Sequence, residues 1–571
     1  MFNNINIFFN LIDKKLKKNF LINIFGSFIV MLLEIFSIAL VFPAIGFLLN
    51  EDICESNPFM KTDIAKFIFV TFRDFEIKSL IIFFLIFFGI SYLFKVLITL
   101  YFGFRNAKFA FDVRTYFAVK LNNLYITQPY YYHLTTNSSK IIHHLTQEIN
   151  LIATGCNNLL IFITELAVIL GLIFFFVIYQ PFIMLTLLIV MLPSIYIFRK
   201  VKKLVSKLSK LRQIQDRKSI FLITQTFSGI KDLLIFNKSK IFSDQYIKSV
   251  QESSAANSKN SFIALLPRNI LEIFLIIGIA TISIYLPMED DNYKNELLKL
   301  MAAFAIASFR IMPALTRIVV SINNVNFMLP ALNSYNKLVR SLNKSKKKIN
   351  LRKKIDFQKI RIRNLTFKYK YGKKFIFKNF STIINKNEKI GIIGESGSGK
   401  TTFINLFLGL LSPQKGEIDL IDKKGKFLTN IKNLKISHVP QEVFLFDDTL
   451  KNNICIPGDK RIDSKLLKKV LKEADLEKFV NKLPHGLNTR MGERGAKVSG
   501  GQKQRIGIAR SLYHESDLLI FDEITSSLDI DSENRIMKLI EKIKGRTILL
   551  ITHKKSNLRV CKKIINFDTL N

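Results

Sequence analysis

At 571 residues, 49% of them apolar with 52 Phe and no Trp, the chain has room for several domains and is more hydrophobic than a cytosolic enzyme of this size. The formal charge of +40 raises nucleic acid as a partner, but the charge is unevenly placed and its positions argue for membrane topology instead. Cys54, Cys156, Cys455 and Cys561 lie far apart with no C-x-x-C pair, which argues against a disulfide framework and against a zinc site.

Six apolar stretches follow in order, at about 20–49, 79–104, 158–179, 181–198, 262–287 and 297–330, each near or above the roughly 20 residues a helix needs to cross a bilayer. The first follows Lys14, Lys15, Lys17 and Lys18, but it is too long for a signal peptide and lacks a small-residue cleavage site, so it reads as a retained span. Six spans put both termini on one side. The third and fourth are joined by Tyr179-Gln180-Pro181, a tight turn with no room for a domain. Segment 105–157 carries five Lys/Arg against two acids and 199–261 carries fourteen against four. Segment 50–76 carries three basic residues against six acids, and 288–296 is mostly acidic. By the positive-inside rule the termini and the two basic segments are cytoplasmic, in a bacterial-type inner membrane.

Both basic segments show helical periodicity, so the spans are expected to continue as helices beyond the bilayer, each turning back at a short transverse helix. The candidates are Thr127 to Leu134, with Pro129 and three tyrosines, and Ser228 to Phe236 around Gly229-Ile230-Lys231-Asp232. A short amphipathic helix is expected in the outer segment, between Pro58 and Phe75. After Pro330 the hydrophobic signal stops, and Lys344 to Lys354 is a basic run suited to a linker. The expected division is a membrane domain at 1–340, a linker at 341–354 and a second domain at 355–571. In the last, strands such as Lys389–Ile393 and Leu518–Phe521 alternate with helical stretches and imply a largely parallel sheet. The fold class is thus an α-helical membrane domain of six spans with long cytoplasmic extensions, plus an α/β P-loop domain.

Gly394-Glu395-Ser396-Gly397-Ser398-Gly399-Lys400-Thr401 fits the G-x-x-x-x-G-K-[ST] phosphate-binding loop, between the apolar strand Ile390–Ile393 and a helix expected over Thr401–Leu410. The glycines let successive N–H groups turn inward on phosphates, Lys400 reaches the β/γ oxygens, and the Thr401 hydroxyl can coordinate Mg²⁺ at a helix N-terminus that favours anions. Leu518-Leu519-Ile520-Phe521-Asp522-Glu523 is an apolar strand ending in two carboxylates. Asp522 suits the Mg²⁺ shell and Glu523 the activation of the attacking water.

Val498-Ser499-Gly500-Gly501-Gln502, before a helix with Arg505 and Arg510, resembles the signature motif of ABC transporter ATPases, with Val498 where Leu is commonest. The phosphate loop, with Thr402 after it, and the acidic strand then resemble that family's Walker A and Walker B. In family order, Tyr369 resembles the adenine-stacking aromatic, Gln441 the Q-loop glutamine that joins the catalytic and metal groups, Ser527-Leu528-Asp529 the D-loop, and His553 the switch histidine. Gly492-Glu493-Arg494-Gly495 resembles the X-loop of exporters. The resemblance covers about 355 to the end and implies ATP and Mg²⁺. In the family the signature of one subunit closes over the Walker A of the other, so one ATPase domain implies a dimer. Glu523, Ser499 and His553 match the active pattern, which favours a homodimer, with no nucleic acid as partner.

Six spans followed by one such domain resemble an ABC half-exporter. Glu34, Lys95, Glu165, Arg268, Glu272, Arg310 and Arg317 lie within or close to the apolar stretches, where a charge costs about 2.5–3.5 kcal/mol on insertion scales. Arg268 and Glu272 are four apart on one helix face and suit each other as partners. Arg310 and Arg317 are seven apart on one face, with no acid near them on that helix. They either bind Glu34 or Glu165 on other helices or, with Arg268 and Lys95, face an anionic cargo. Pro267-Arg268 with Glu272, and Arg310-Ile311-Met312-Pro313-Ala314-Leu315 with Arg317, resemble flippases for lipid-linked oligosaccharides. That resemblance implies membrane lipids around the protein and an amphipathic, anionic lipid-linked cargo. An exporter of lipid A, drugs or peptides is the alternative, although no peptidase domain precedes the first span as in leader-peptide exporters. A soluble nucleic-acid or ribosome-associated ABC ATPase is a different class, which the six spans disfavour.

Overall fold

The computed structural model describes residues 2–40, 77–179, 181–285, 293–345, 352–369, 372, 374–456, 462–496, 498–526 and 528–568. They form two compact units, one of residues 1–128 with 135–346 and one of residues 129–134 with 347–571.

The first unit is helical. Helices α1 (Phe2–Leu11) and α2 (Lys14–Ala39) are separated at Asp13, whose carboxylate caps α2 by accepting from Leu16 N–H at 2.8 Å. There follow α3 (Ile77–Ile126), α4 (Tyr130–Thr135, which belongs to the second unit up to Leu134), α5 (Ser138–His143), α6 (Ile149–Tyr179), α7 (Pro181–Ser228), α8 (Ile230–Ile235), α9 (Ser239–Tyr285) and α10 (Tyr293–Ser345). The described residues of each of the six apolar stretches fall on one long helix, apart from Leu40 at the end of α2. Among the described residues, Lys14–Ala39, Leu85–Ile126 and Ser138–Ile178 are long and apolar enough to cross a membrane. They turn Phe25, Leu32, Ile90, Leu97 and Phe174 outward, as acyl chains require and water forbids. At 50 residues α3 reaches about 75 Å, far beyond a hydrocarbon core of roughly 30 Å, so it does continue past the span.

The two expected transverse helices are α4 and α8. Between α5 and α6 the chain makes a π-turn over His144–Glu148, where a buried polar knot ties α3 to α7. Tyr125 Oη lies 2.7 Å from His144 Nδ1, and Gln213 donates to Glu148 at 2.7 Å. Burial lowers His143 from 6.5 to about 4 and His144 to about 3, and it raises Glu148. Both rings are therefore neutral at pH 7.

Helix α10 continues through Pro313 and Pro330 to Ser345, past the point where the hydrophobic signal stops. The division between the units falls after Lys346, inside the expected linker. Arg352 donates to the Leu408 carbonyl at 2.5 Å and Lys353 pairs with Leu434, so these residues already belong to the second unit.

The second unit holds two sheets. The expected parallel sheet has order β6-β7-β8-β3-β9, with β3 (Lys389–Ile393), β6 (Ile436–Val439), β7 (Leu518–Asp522), β8 (Thr547–Ile551) and β9 (Lys563–Asn566). An antiparallel sheet, which the βαβ reading did not anticipate, has order β2-β1-β4-β5, with β1 (Lys359–Phe367), β2 (Phe377–Asn385), β4 (Lys415–Ile421) and β5 (Phe427–Asn430). Phe377, Phe380, Phe403 and Phe567 meet edge to face with ring centres 5.2–6.1 Å apart, joining the antiparallel sheet to the phosphate-loop helix and to the end of β9. Cys156 and Cys561 are free thiols, and Cys455 is buried. Cys54, the outer segment with its expected helix, Gln180 of the tight turn and the acidic residues 289–291 lie outside the described residues.

Candidate nucleotide site and the charges within the spans

In a parallel sheet every strand ends on the same edge, and here that edge gathers the chemistry. Strand β3 runs into the loop 394–399 and then α11 (Lys400–Phe407). Gly397 and Gly399 take φ of +89° and +99°, and a Cβ on Gly399 would meet Ile376 Cγ2 at 2.5 Å, so the loop needs these glycines. Lys400 Nζ donates to the carbonyls of Gly394 at 2.7 Å and Glu395 at 2.9 Å, which folds the ammonium back over the loop. Glu395, Ser396, Gly397 and Thr401 are exposed, while Ser398 is half-buried. Tyr369 stands beside the loop, its Oη 3.2 Å from Thr402 Oγ1 and its ring edge-on to Phe367.

Strand β7 ends at Asp522. The next residue, Glu523, turns into the left-handed region with φ of +48°, a conformation a non-glycine residue holds only under constraint from its surroundings. Its N–H bonds to the Ile551 carbonyl at 3.0 Å, and its Oε1 comes 2.7 Å from Nε2 of His553, beyond the end of β8. Two adjacent strands thus bring the acidic pair and the histidine together. Gln441 follows β6, with its Nε2 donating to Ser526 at 3.2 Å and its carbonyl accepting from Gln504 at 2.5 Å. Thr401, Gln441 and Asp522 offer oxygen donors only, the set a hard divalent cation prefers.

Ser499 caps α12 (Gly500–Tyr513) through a capping box, donating its N–H to Gln502 Oε1 at 3.0 Å and accepting from Gln502 N–H at 3.4 Å. Gly500 and Gly501 place no side chain over this helix end, a second ready anion cradle. Asp529 caps α13 (Ile530–Lys542), and its bonds from Ser532 hold its carboxyl below the usual range. Ser527 lies outside the described residues. Glu493–Gly495 forms a single 3₁₀ turn after Gly492 at φ +75°.

Three supporting residues escaped the motif reading. Buried Asn557 donates to Thr525 at 3.0 Å and to Glu533 at 2.7 Å, and Lys554, next to His553, donates to Glu533 at 2.5 Å. This knot fixes the segments after both Glu523 and His553. The one signal in the sequence was an acid on the apolar face of an amphipathic helix.

Comparison with known proteins decides the family. The model described as ABC transporter matches residues 377–526, and that described as ABC transporter transmembrane region matches 56–308. An ATP-dependent lipid A-core flippase of Wigglesworthia glossinidia brevipalpis is 30% identical over 437 residues, covering 75% of this chain and 74% of its own. The chain belongs to the ABC transporter family. It is an ABC exporter, an integral membrane half-transporter whose single ATPase domain binds nucleotide and hydrolyses ATP to drive transport. A second lipid A-core flippase, of Pectobacterium atrosepticum, is 28% identical over the same length and shares. A solved structure titled as a bacterial Atm1-family ABC exporter with ATP bound superposes with a TM-score of 0.76 over 97% of this chain and 94% of its own, at 17% identity, and so shares the fold.

In the membrane unit of this exporter the arginines of α10 are paired, the first of the two arrangements their sequence left open. Glu34 on α2 takes Lys95 of α3 at 3.0 Å and also Arg310 of α10. Arg317 forks onto Glu165 of α6, with Nε 2.5 Å and the second nitrogen 3.3 Å from its oxygens. Sequence spacing along α10 could not decide this pairing, because the acids come from other helices. Arg268 and Glu272 both lie on α9, and the side chain of Arg268 is outside the described residues.

Proposed function

We propose that this exporter is a homodimer of a bacterial-type inner membrane, with cytoplasmic termini, that flips an amphipathic, anionic lipid-linked glycan to the outer leaflet. The observation that carries the cargo reading is the Glu34 cluster: one carboxylate meets two cations, Lys95 and Arg310, inside apolar spans. Two charges against one leave a surplus positive charge among the described residues, which a phosphate or pyrophosphate would neutralise. Arg317, matched one to one by Glu165, is better suited to hold α6 against α10, and Arg268 adds a cation on α9. The names of the flippase relatives favour a lipid A-core type of cargo over a lipid-linked oligosaccharide.

In the ATPase unit, the amides of 396–401 and Lys400 hold the phosphates and Tyr369 stacks on adenine. Thr401, Gln441 and Asp522 supply oxygens for Mg²⁺, which when bound offsets phosphate charge. Glu523 accepts the proton of the attacking water, and His553, in contact with it, orients that carboxylate. The chain carries one signature, so Ser499, Gly500, Gly501, Gln502 and Asp529 complete the site of a second copy. An exposed apolar patch of Phe227, Leu234, Ile235 and Phe236, outside the six apolar stretches and so beyond lipid cover, also calls for a protein partner.

The test is ATP hydrolysis in nanodiscs with lipid A-core glycolipid, polyprenyl pyrophosphate oligosaccharide or plain phospholipid. Glycolipid should stimulate hydrolysis, with Arg310→Gln raising the half-maximal concentration. Equal rates with all three lipids would remove the cargo reading.

A further inference from the structure

Where the first two spans meet the basic end of the membrane unit, α2 and α3 enclose a cleft of about 330 Å³ lined by Asn19, Asn23, Tyr101, Arg105, Lys108 and Asp112. Its polar groups are mostly donors. Arg105 is held in place from two sides, with Nε donating to Asn23 Oδ1 at 3.4 Å and Nη1 reaching Tyr101 Oη at 3.3 Å. The remaining donors of that fork make no hydrogen bond with the described residues. Asn23 is 2% exposed, and its Nδ2 likewise has no partner among the described residues. Lys108 adds a second cation, and Asp112 is the one acid in the lining.

The surface next to the cleft points to what fills it. Toward the span interior, α3 exposes Leu97 and Phe104 beside the cleft, while the exposed Phe25, Phe28 and Leu32 of α2 lie on that helix's opposite face. A donor-rich cleft at the foot of an apolar helix face has the shape of a phospholipid site: an anionic head beside Arg105 and Lys108, with an acyl chain along Phe104 and Leu97. A soluble anion would need no such apolar face. The Glu34–Lys95 pair lies about 15 Å further along the same helices, so the cleft is separate from the proposed cargo cluster. We propose that this cleft binds the phosphodiester head of an anionic membrane phospholipid, held as a resident lipid.

Native mass spectrometry of the full-length protein in mild detergent tests this, with phosphatidylglycerol, phosphatidylcholine or inorganic phosphate added. Phosphatidylglycerol should bind in preference to phosphatidylcholine, and inorganic phosphate should not displace it. An interfacial cation is worth roughly a fivefold change in affinity, so Lys108→Gln should weaken phosphatidylglycerol about fivefold and the pair R105Q/K108Q on the order of 25-fold. Lys423→Gln, in the ATPase unit, should change nothing. If the double variant does not elute as a single species, exposed Lys108 carries the test alone. Equal binding of the two lipids, unchanged binding by Lys108→Gln, or displacement by inorganic phosphate would each overturn the proposal.

Discussion

Replacing Glu34 by Gln keeps the side chain's shape and removes the carboxylate that Lys95 and Arg310 share. Lys95 would retain Ser37 Oγ at 3.2 Å and the Tyr92 ring at 4.6 Å, whereas Arg310 would lose its described counter-charge. Breaking a buried ion pair from one side costs about 3–5 kcal/mol, and the contacts left to Lys95 place this case near 3 kcal/mol. At roughly 2 °C per kcal/mol for a large domain, unfolding should come about 6 °C earlier. The chain has no Trp, so the assay is labelling of buried Cys156 by a thiol-reactive dye during heating. The triple variant E34Q/K95Q/R310Q removes both the acid and its cations and should recover much of the loss. A Glu34→Gln protein as stable as the wild type, or a triple variant no better than the single, would refute the shared-carboxylate account.

Lys400→Ala should weaken ATP binding by about 1.5–3 kcal/mol, roughly 10- to 100-fold, as a charge-assisted contact is lost, whereas Glu523→Gln should bind ATP normally but release no phosphate. Equilibrium nucleotide binding and phosphate release separate the two. Coexpressed Lys400→Ala and Ser499→Arg chains should give mixed dimers with one intact composite site; purified mixed dimers that bind no more ATP than either mutant homodimer would show that the sites are not shared. Stability should also depend on pH. His143 and His144 have folded values of about 4 and about 3 against 6.5 unfolded, so the stability they contribute is complete above pH 6.5 and is lost as pH falls toward 4. Glu148, raised above 4.5, acts in the opposite sense within that range. The dye-detected unfolding temperature should therefore fall between pH 7 and pH 5, and His144→Gln should flatten that slope.

Most of the ATP site was legible because phosphate binding dictates residue type at fixed spacing: glycines where φ is positive, a lysine at the loop end, carboxylates at a strand end. The six spans were legible because a bilayer needs long apolar runs. What escaped depends on tertiary approach. Glu34 and Glu165 were named as possible partners, but nothing along α10 assigns Arg310 to Glu34 and Arg317 to Glu165 or decides between pairing and cargo, since spacing reports only a helix's own face. The Glu533–Lys554–Asn557 knot is hidden for the same reason. The hydrophobic signal stops after Pro330, yet α10 passes through it, because packed neighbours can satisfy the freed backbone groups. The antiparallel sheet was missed although Lys359-Ile360-Arg361-Ile362 alternates, because the reading followed the longer apolar strands of the parallel sheet.

The central claim is that hydrolysis at the Lys400–Glu523 site drives a glycolipid between leaflets. It is tested most directly in proteoliposomes with the ATPase domain outward, by following a fluorescent lipid A-core glycolipid as it leaves the outer-facing leaflet. The wild type should move it only with ATP and Mg²⁺, and Glu523→Gln should not move it at all. ATP-independent movement, or equal movement by Glu523→Gln, would contradict the account.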